Sequence, residues 1–300
     1  MTYFNGIPFH QIGKGEQCLI STNLALAHKR AKESNLILIE EPENHLSHTK
    51  LNQLIKSIND KCKEKQIIIT THNNFVANKL KLKNLILLNE EKDKRTSSSF
   101  NSLEEETYKF FEKLPGYETL RMILCKKAIL VEGASDELII QRAFMDKNNN
   151  ALPIEKEIDV ISVKGLAFKR FLDVAKMIKK PVAVVADNDG NFEKNIENKY
   201  KGYKQDEFIK IFADKRVEFP TLEPQIADAN KDEDNLKLLC KVLQINSSKY
   251  HTPKSVADYM EQEHNKTECA LKIFNANAKE KIKYPDYINN AIDWCNEQKQ

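Results

Sequence analysis

The stretch AILVEGASDE, residues 128–137, reads as a buried β-strand that runs into a tight turn and opens a helix. Apolar residues Ala128 to Val131 are followed by Glu132 and Gly133, and glycine lets the backbone turn sharply where a ligand approaches. Ser135, Asp136 and Glu137 then supply a polar, acidic first turn that complements a helix dipole. From about Ser135 onward, Leu138, Ile139, Ala143 and Phe144 fall on one helical face. Further along, VAVVADNDG at 182–190 repeats the strand-into-acid pattern with Asp187 and Asp189. Between the two lie an apolar run at 158–163 and a helical pattern near 167–178. Residues 126–230 therefore alternate strand and helix, which favours a mainly parallel sheet.

Parallel α/β sheets collect ligands at the carboxyl ends of their strands. Glu132, Asp136, Asp187 and Asp189 should then meet at one edge, joined by Glu223 after the short run RVEF at 216–219. Asp187 and Asp189, two apart at a strand end, are expected to point the same way. Gathered carboxylates repel unless they are protonated or share cations. At neutral pH the expected solution is one or two magnesium-class ions held by oxygen ligands, the basis of phosphodiester cleavage. The competing reading, in which these acids are solvated loop residues or helix caps, explains each one alone better than it explains the set.

The first part of the chain carries apolar runs at 36–39, 67–69 and 85–88, with Leu51, Leu54, Ile55 and Ile58 in helical spacing between the first two. Strand, helix, strand, helix, strand again suggests a parallel sheet. NEEKDKRTSSSFNSLEEET at 89–107 is polar and charge-mixed and reads as a linker. Residues 108–125 look like an amphipathic helix broken near Pro115 and Gly116, and 231–300 are mostly helical in pattern. The expected fold class is α/β, divided into 1–92, a connector at 93–125, and 126–300 with a helical C-terminal extension.

Bulk composition narrows the function classes. A hydrophobic share of 41% and a charged share of 30% fit an ordinary globular protein and not a disordered one. A net charge of +3 is too small to argue for nucleic acid, so any basic surface must be local. The six cysteines form no CxxC pair and read as reduced thiols, neither a disulfide framework nor a zinc site. No apolar run approaches the ~20 residues of a membrane span, and the N-terminus lacks a signal-peptide core. A cytoplasmic protein without membrane contact is expected.

VEGASDE at 131–137, followed after a complete β-α unit by Asp187, Asn188 and Asp189, resembles a Toprim domain, the Rossmann-like metal-binding fold of topoisomerases, primases and OLD (overcoming lysogenization defect) nucleases. Thr221, Leu222 and Glu223 resemble the acidic motif that follows in OLD-type Toprim domains, and NKTECAL at 265–271 resembles its late lysine motif. The resemblance implies Glu132, Asp136, Asp187, Asp189 and Glu223 as metal ligands, with Lys266 assisting phosphate chemistry.

Upstream, LILIEEPE at 36–43 resembles the Walker B segment of ABC-type ATPases, implying a magnesium-side role for Glu40 and a catalytic one for Glu41. IIITTHN at 67–73 resembles the switch-histidine segment, with His72 toward a γ-phosphate. IGKGEQ at 12–17 resembles the ABC signature, whose Gly13 and Gly15 open a helix N-terminus suited to anions. Where OLD-type proteins commonly continue Walker B into histidine-leucine-histidine-proline, this chain has His45, Leu46, Ser47 and His48. No GxxxxGK followed by Ser or Thr occurs. The ATPase part therefore reads as incomplete, ATP as a regulator only with a Walker A supplied elsewhere, and this chain alone as unable to hydrolyse ATP.

ABC-type motifs followed by Toprim motifs are the layout of OLD nucleases, and the tail, with KYPDYI at 283–288, looks most like the nuclease subunits of Gabija antiphage systems. That resemblance implies an Mg²⁺- or Mn²⁺-dependent endonuclease acting on double-stranded DNA, as a dimer or higher homo-oligomer, with an N-terminal ATPase half or a helicase-like protein as a possible partner. The alternative is a catalytically idle regulatory or assembly module of a split ATPase–nuclease. A primase- or topoisomerase-like enzyme is a third reading, and no tyrosine stands in a context that marks it as a nucleophile.

Overall fold

The computed structural model describes residues 3–298 apart from 5, 74–75, 78–81, 92–93, 114–116 and 164–167. The chain divides into two compact units, 1–85 and 86–300.

In the first unit, β1 (Tyr3–Phe4) and β2 (Ile7–Pro8) pair antiparallel about Gly6, whose φ of +80° suits glycine. α1 (Lys14–Ala27) and the short α2 (Lys29–Glu33) follow, His28 Nδ1 capping α2 by accepting from the Arg30 N–H at 3.2 Å. β3 (Leu36–Glu40) and β4 (Gln66–Thr70) run parallel in register, Leu36 opposite Gln66 and Glu40 opposite Thr70. Between them α3 (His48–Lys61) buries the predicted stripe of Leu51, Leu54, Ile55 and Ile58. Leu51 and Ile55 pack with Val76, Leu46 and Ile69 on one side of the sheet. Leu36, Leu38 and Ile68 stay exposed, although parallel sheets are ordinarily covered on both faces.

The second unit begins with a difference from the sequence reading. The run at 85–88 does not extend the β3–β4 sheet. β5 (Ile86–Glu91) folds back antiparallel on β6 (Lys94–Ser99), so part of the polar stretch read as a linker is a strand. Polarity misled here because a two-stranded ribbon needs no buried face: Ile86 and Leu88 are themselves exposed. α4 (Glu105–Lys113) and α5 (Tyr117–Leu124) occupy the expected helical region, with the Pro115–Gly116 break outside the described residues.

The α/β rhythm then appears as read: β7 (Lys127–Val131), α6 (Ala134–Lys147), β8 (Ile158–Ser162), α7 (Phe168–Met177) and β9 (Val182–Val185). An edge strand, β10 (Ile209–Phe212), completes a parallel sheet of order β10-β9-β7-β8. α8 (Leu222–Ala229), α9 (Glu233–Val242), α10 (Pro253–Met260), α11 (Glu263–Phe274) and α12 (Asp286–Glu297) form the helical remainder. The four residues of β9 are at most 5% exposed, and each buried branched side chain contributes about 1.5–3 kcal/mol. Ile129, Ile140, Phe144, Ile226, Leu239, Ile288 and Ile292 belong to one continuous core spanning sheet and helices.

The connection from β7 leads to β8 on one side, and the chain then crosses to β9 on the other. The sheet reverses its order between β7 and β9, the kind of switch point where open α/β sheets bind ligands.

Candidate active site

Both carboxylate motifs emerge at that switch point. Glu132 follows β7 directly, and Gly133 is the N-cap of α6. Asp136 folds back to accept the Gly133 N–H at 2.8 Å. A Cβ on Gly133 would approach Asp136 Oδ2 to 3.2 Å, so a larger residue would crowd this cap.

Asp187 and Asp189 lie in the loop after β9, not on its pleat, and Asp189 has a φ of +48°. The expected strand-end alternation therefore does not orient them. Asn188, fully buried, does so instead. Its side-chain amide donates to the carbonyls of Asp214, Arg216 and Phe219 at 3.0–3.1 Å, and its Oδ1 accepts from the Gly190 N–H at 2.8 Å. The Asp189 N–H donates to the Pro220 carbonyl at 3.1 Å. Loop 187–190 is thus fastened to loop 214–220.

The run at 216–219 is not a strand. Val217 is exposed, Arg216 pairs with Asp214 and Asp228 at 2.7 and 2.5 Å, and its guanidinium lies 4.5 Å from the centre of the Phe219 ring. Glu223 consequently sits in the first turn of α8, where helix dipole and free N–H groups favour an anion. It is only 6% exposed. Its Oε1 lies 3.1 Å from the Lys266 Nζ on α11, while Oε2 is buried without a hydrogen-bond partner.

Electrostatics joins these groups into one site. Burial, then Asp136, Glu132, Glu223 and Asp189, push the Asp187 carboxyl up to about 9. Burial raises Asp136 to about 6 against the stabilising Gly133 N–H, with Glu223 and Glu132 adding to the rise. Glu132 is raised by burial and Asp189, and Lys199, the Asp187 N–H and Lys266 moderate it. Burial opposes the charge on Lys266, but Glu223, Asp187 and Asp136 outweigh it and raise the ammonium's pKa. All five sequence-predicted acids and Lys266 therefore act on one another.

The donor set suits a hard divalent cation: clustered carboxylate oxygens, one of them buried and unpartnered, and an Asp187 carboxyl that resists ionising at neutral pH without added positive charge. Among the described residues, no three acid, imidazole or thiol groups are already closed around a single point. Asp136 is turned to its helix cap and Glu223 to Lys266, as mutual repulsion between uncompensated acids requires.

Sequence reasoning missed the supporting residues. Asn188 was signalled only by lying between two aspartates. Tyr287 donates to Gln225 Oε1 at 2.6 Å, and Gln225 donates to the Phe219 carbonyl at 2.9 Å. Burial, then Asp187 and Asp136, drive the Tyr287 hydroxyl well above its ordinary range, so it stays a neutral donor. Nothing in the sequence marks either residue.

In the first unit, Glu40 ends β3 and Glu41 turns away with a φ of +41°. Asn44 donates to Glu41 Oε2 at 2.9 Å, and His72 Nδ1 lies 3.3 Å from Oε1. The Glu41 carboxyl is held below its usual range, first by Asn44; burial opposes and His72 assists. Glu43, buried, accepts from the Thr71 hydroxyl at 2.5 Å and the His72 N–H at 3.2 Å, and its second oxygen has no partner. The structure thus brings Glu41 and His72 together and adds Glu43, Thr71 and Asn44. Gly13 and Gly15 instead border a separate concavity of about 610 Å³ with His45, Ser47 and Lys50. A Cβ on Gly15 would come within 2.4 Å of the His45 carbonyl oxygen, which explains a glycine there.

A strand-acid-histidine unit followed by an acid-bearing parallel sheet marks this as an ATPase–Toprim type of protein, and comparison with known proteins agrees. Residues 123–189 match the family described as "Overcoming lysogenization defect protein-like, TOPRIM domain". Residues 5–78 match an AAA domain family whose description names the AbiEii toxin and a Type IV TA system. Together they give an OLD-like TOPRIM domain preceded by an AAA-type segment. Endonuclease GajA of Bacillus cereus (strain HuB5-5) is 26% identical over 199 residues, 57% of this chain. The chain covers 28% of that relative's length. The C-terminal region of the Xanthomonas campestris pv. campestris OLD protein, phased with iodine, superposes with a TM-score of 0.41 at 17% identity over 58% of this chain and 95% of that one. The platinum-phased structure of the same region gives 0.39 at 18% identity, over 59% and 95%.

Proposed function

We propose that this chain is a divalent-cation-dependent DNA endonuclease that nicks or cleaves duplex DNA in antiphage defence, regulated by an ATPase half that is incomplete here. The observation that carries the reading is the mutual electrostatic coupling of Glu132, Asp136, Asp187, Asp189 and Glu223 at the β7/β9 switch point, with Lys266 at its edge. The endonuclease name of the GajA relative supports the same reaction class.

Glu132, Asp136, Asp187, Asp189 and Glu223 would hold Mg²⁺ or Mn²⁺. Bound there, the cation would supply the positive charge and Lewis acidity that phosphodiester hydrolysis requires. Lys266, tethered to Glu223, offers its ammonium to charge developing on the phosphate. Asn188 keeps Asp187 and Asp189 in place by fixing the loop that carries them. In the first unit, Glu41 and His72 would sense nucleotide once a phosphate-cradling loop is supplied from elsewhere.

Supercoiled plasmid incubated with the protein and Mg²⁺ or Mn²⁺ should relax to nicked and linear forms, and Asp187→Ala should abolish this while keeping its melting transition. Cutting that persists in a highly purified Asp187→Ala preparation would remove the carboxylate site from the reaction. A second reading, an idle regulatory module, draws on the acids not being closed around one point. It predicts no divalent-dependent stabilisation.

A further inference from the structure

We propose that Lys199, seconded by Lys169, docks a backbone phosphate of nucleic acid immediately beside the carboxylate cluster; this rests on the nuclease reading above. A groove of about 720 Å³ runs from Glu132 and Asp189 past Phe168, Lys169, Lys199 and Tyr203. This concavity reaches two of the carboxylates, and a strand lying along it would pass beside them.

Several of the groove's charges are already engaged. Arg170 pairs with Glu106 at 2.6 Å and with Glu104 at 3.7 Å, and Asp173 accepts from the Tyr203 hydroxyl at 2.5 Å. Lys266, another cation near the acids, is engaged by Glu223. Lys199 and Lys169 are exposed, and neither forms an ion pair with an acid among the described residues. Among the described residues lining the groove, these two are the cations without an ion-pair partner to set against a phosphate.

Lys199 is also held in position. Its Nζ lies 5.7 Å from the Phe168 ring centre and 5.3 Å from that of Tyr200. Those rings pack edge-to-face at 6.3 Å and are 3% and 1% exposed, a rigid platform for an ammonium. Lys199 directly follows a π-helical turn, Glu193–Asn198, a rare geometry found disproportionately at functional sites. An ammonium fixed at the mouth of an acidic site supplies what the acids lack, namely local attraction for a polyanion whose overall pull on a +3 chain is weak.

The test uses the full chain and a fluorescein-labelled DNA duplex in EDTA, with anisotropy titrations across about 50–200 mM salt. Lys199→Gln should weaken binding about three- to tenfold and flatten the log Kd–log salt slope by about 0.9, the loss of one phosphate contact. Lys199→Arg should restore both. In plasmid nicking, Lys199→Gln should raise KM more than it lowers kcat. Wild-type nicking combined with unchanged affinity and slope in Lys199→Gln overturns the proposal and leaves the nuclease reading standing. Wild-type binding that depends on Lys199, without nicking under any divalent ion, sinks the nuclease reading instead. If inorganic phosphate perturbs wild type but not Lys199→Gln while duplex affinity is equal for both, the site serves a free anion and the proposal fails. Absence of duplex binding by the wild type also refutes it.

Discussion

Magnesium should bind this protein about tenfold more tightly for each pH unit between roughly pH 7 and 8.5. Asp187 is pushed up to about 9 and Asp136 to about 6. A cation that requires both carboxylates must therefore expel the Asp187 proton across this window, whereas Asp136 is already ionised. One proton released per ion bound makes the affinity change tenfold per pH unit, about 1.4 kcal/mol. With Mg²⁺ well above its Kd, stabilisation follows RT ln(1 + [L]/Kd), so the cation-dependent increment grows by the same ~1.4 kcal/mol per unit. For a unit of this size that is roughly 3–6 °C in Tm per pH unit. Without cation the slope has the opposite sign. A carboxyl raised in the folded state contributes stability fully below its unfolded pKa near 3.9 and loses it as pH climbs toward the folded value. The Tm in EDTA should accordingly fall between about pH 4 and 9 while the Mg²⁺ increment rises across the upper part of that range. Melting curves with and without Mg²⁺ give both slopes, and calorimetry in two buffers of different ionisation enthalpy counts the proton. Asp187→Asn should erase the pH dependence of the cation response. Heats that do not vary with buffer, or a slope surviving in Asp187→Asn, would refute the placement of Asp187 in the cation site.

Two further outcomes follow from local geometry. Gly15→Ala should destabilise the first unit by about 1–3 kcal/mol in urea titrations, because its Cβ meets the His45 carbonyl oxygen at 2.4 Å; Gly13→Ala, with nothing within 4 Å, should cost under about 0.5 kcal/mol. Asn188→Ala should cost about 1–3 kcal/mol by thermal or urea unfolding, since it removes the hydrogen bonds to the carbonyls of Asp214, Arg216 and Phe219, the one to Asp214 being buried, and plasmid nicking should fall even at temperatures where the variant is fully folded.

The parts of this fold that were legible in the sequence are those where one periodicity carried the whole signal. β9, and β7 after Lys127, are apolar because both faces are covered, and α3 shows its stripe because one face packs on a sheet. β10 escaped notice because IKIF is a short edge strand interrupted by the exposed Lys210. The apolar content of RVEF at 216–219 imitated a strand, but Arg216 makes its ion pairs in a loop. β6 was hidden for the reverse reason: a ribbon closed by backbone hydrogen bonds has no apolar face to advertise. At the candidate site, the acids were legible because strand-end carboxylates are rare and costly. The residues that aim them were not, since an asparagine bonded to three distant carbonyls looks like any other asparagine until the chain has folded.

The uneven assembly of that site follows from the elements that carry it. Glu132 leaves a strand end, Asp136 and Glu223 open helices, and Asp187 and Asp189 hang from a pinned loop, so the acids come from several separate backbone segments. Helix N-termini lower the cost of gathering anions, and Asp136 takes that benefit by accepting the Gly133 N–H. Burial first, and then the repulsion of Asp136, Glu132, Glu223 and Asp189, raise the Asp187 carboxyl further than that of Asp136. The side chain least relieved by the fold has the most to gain from a cation. Loading of the site should therefore be governed by Asp187, and hence by the integrity of the Asn188 hydrogen bonds that hold it in place.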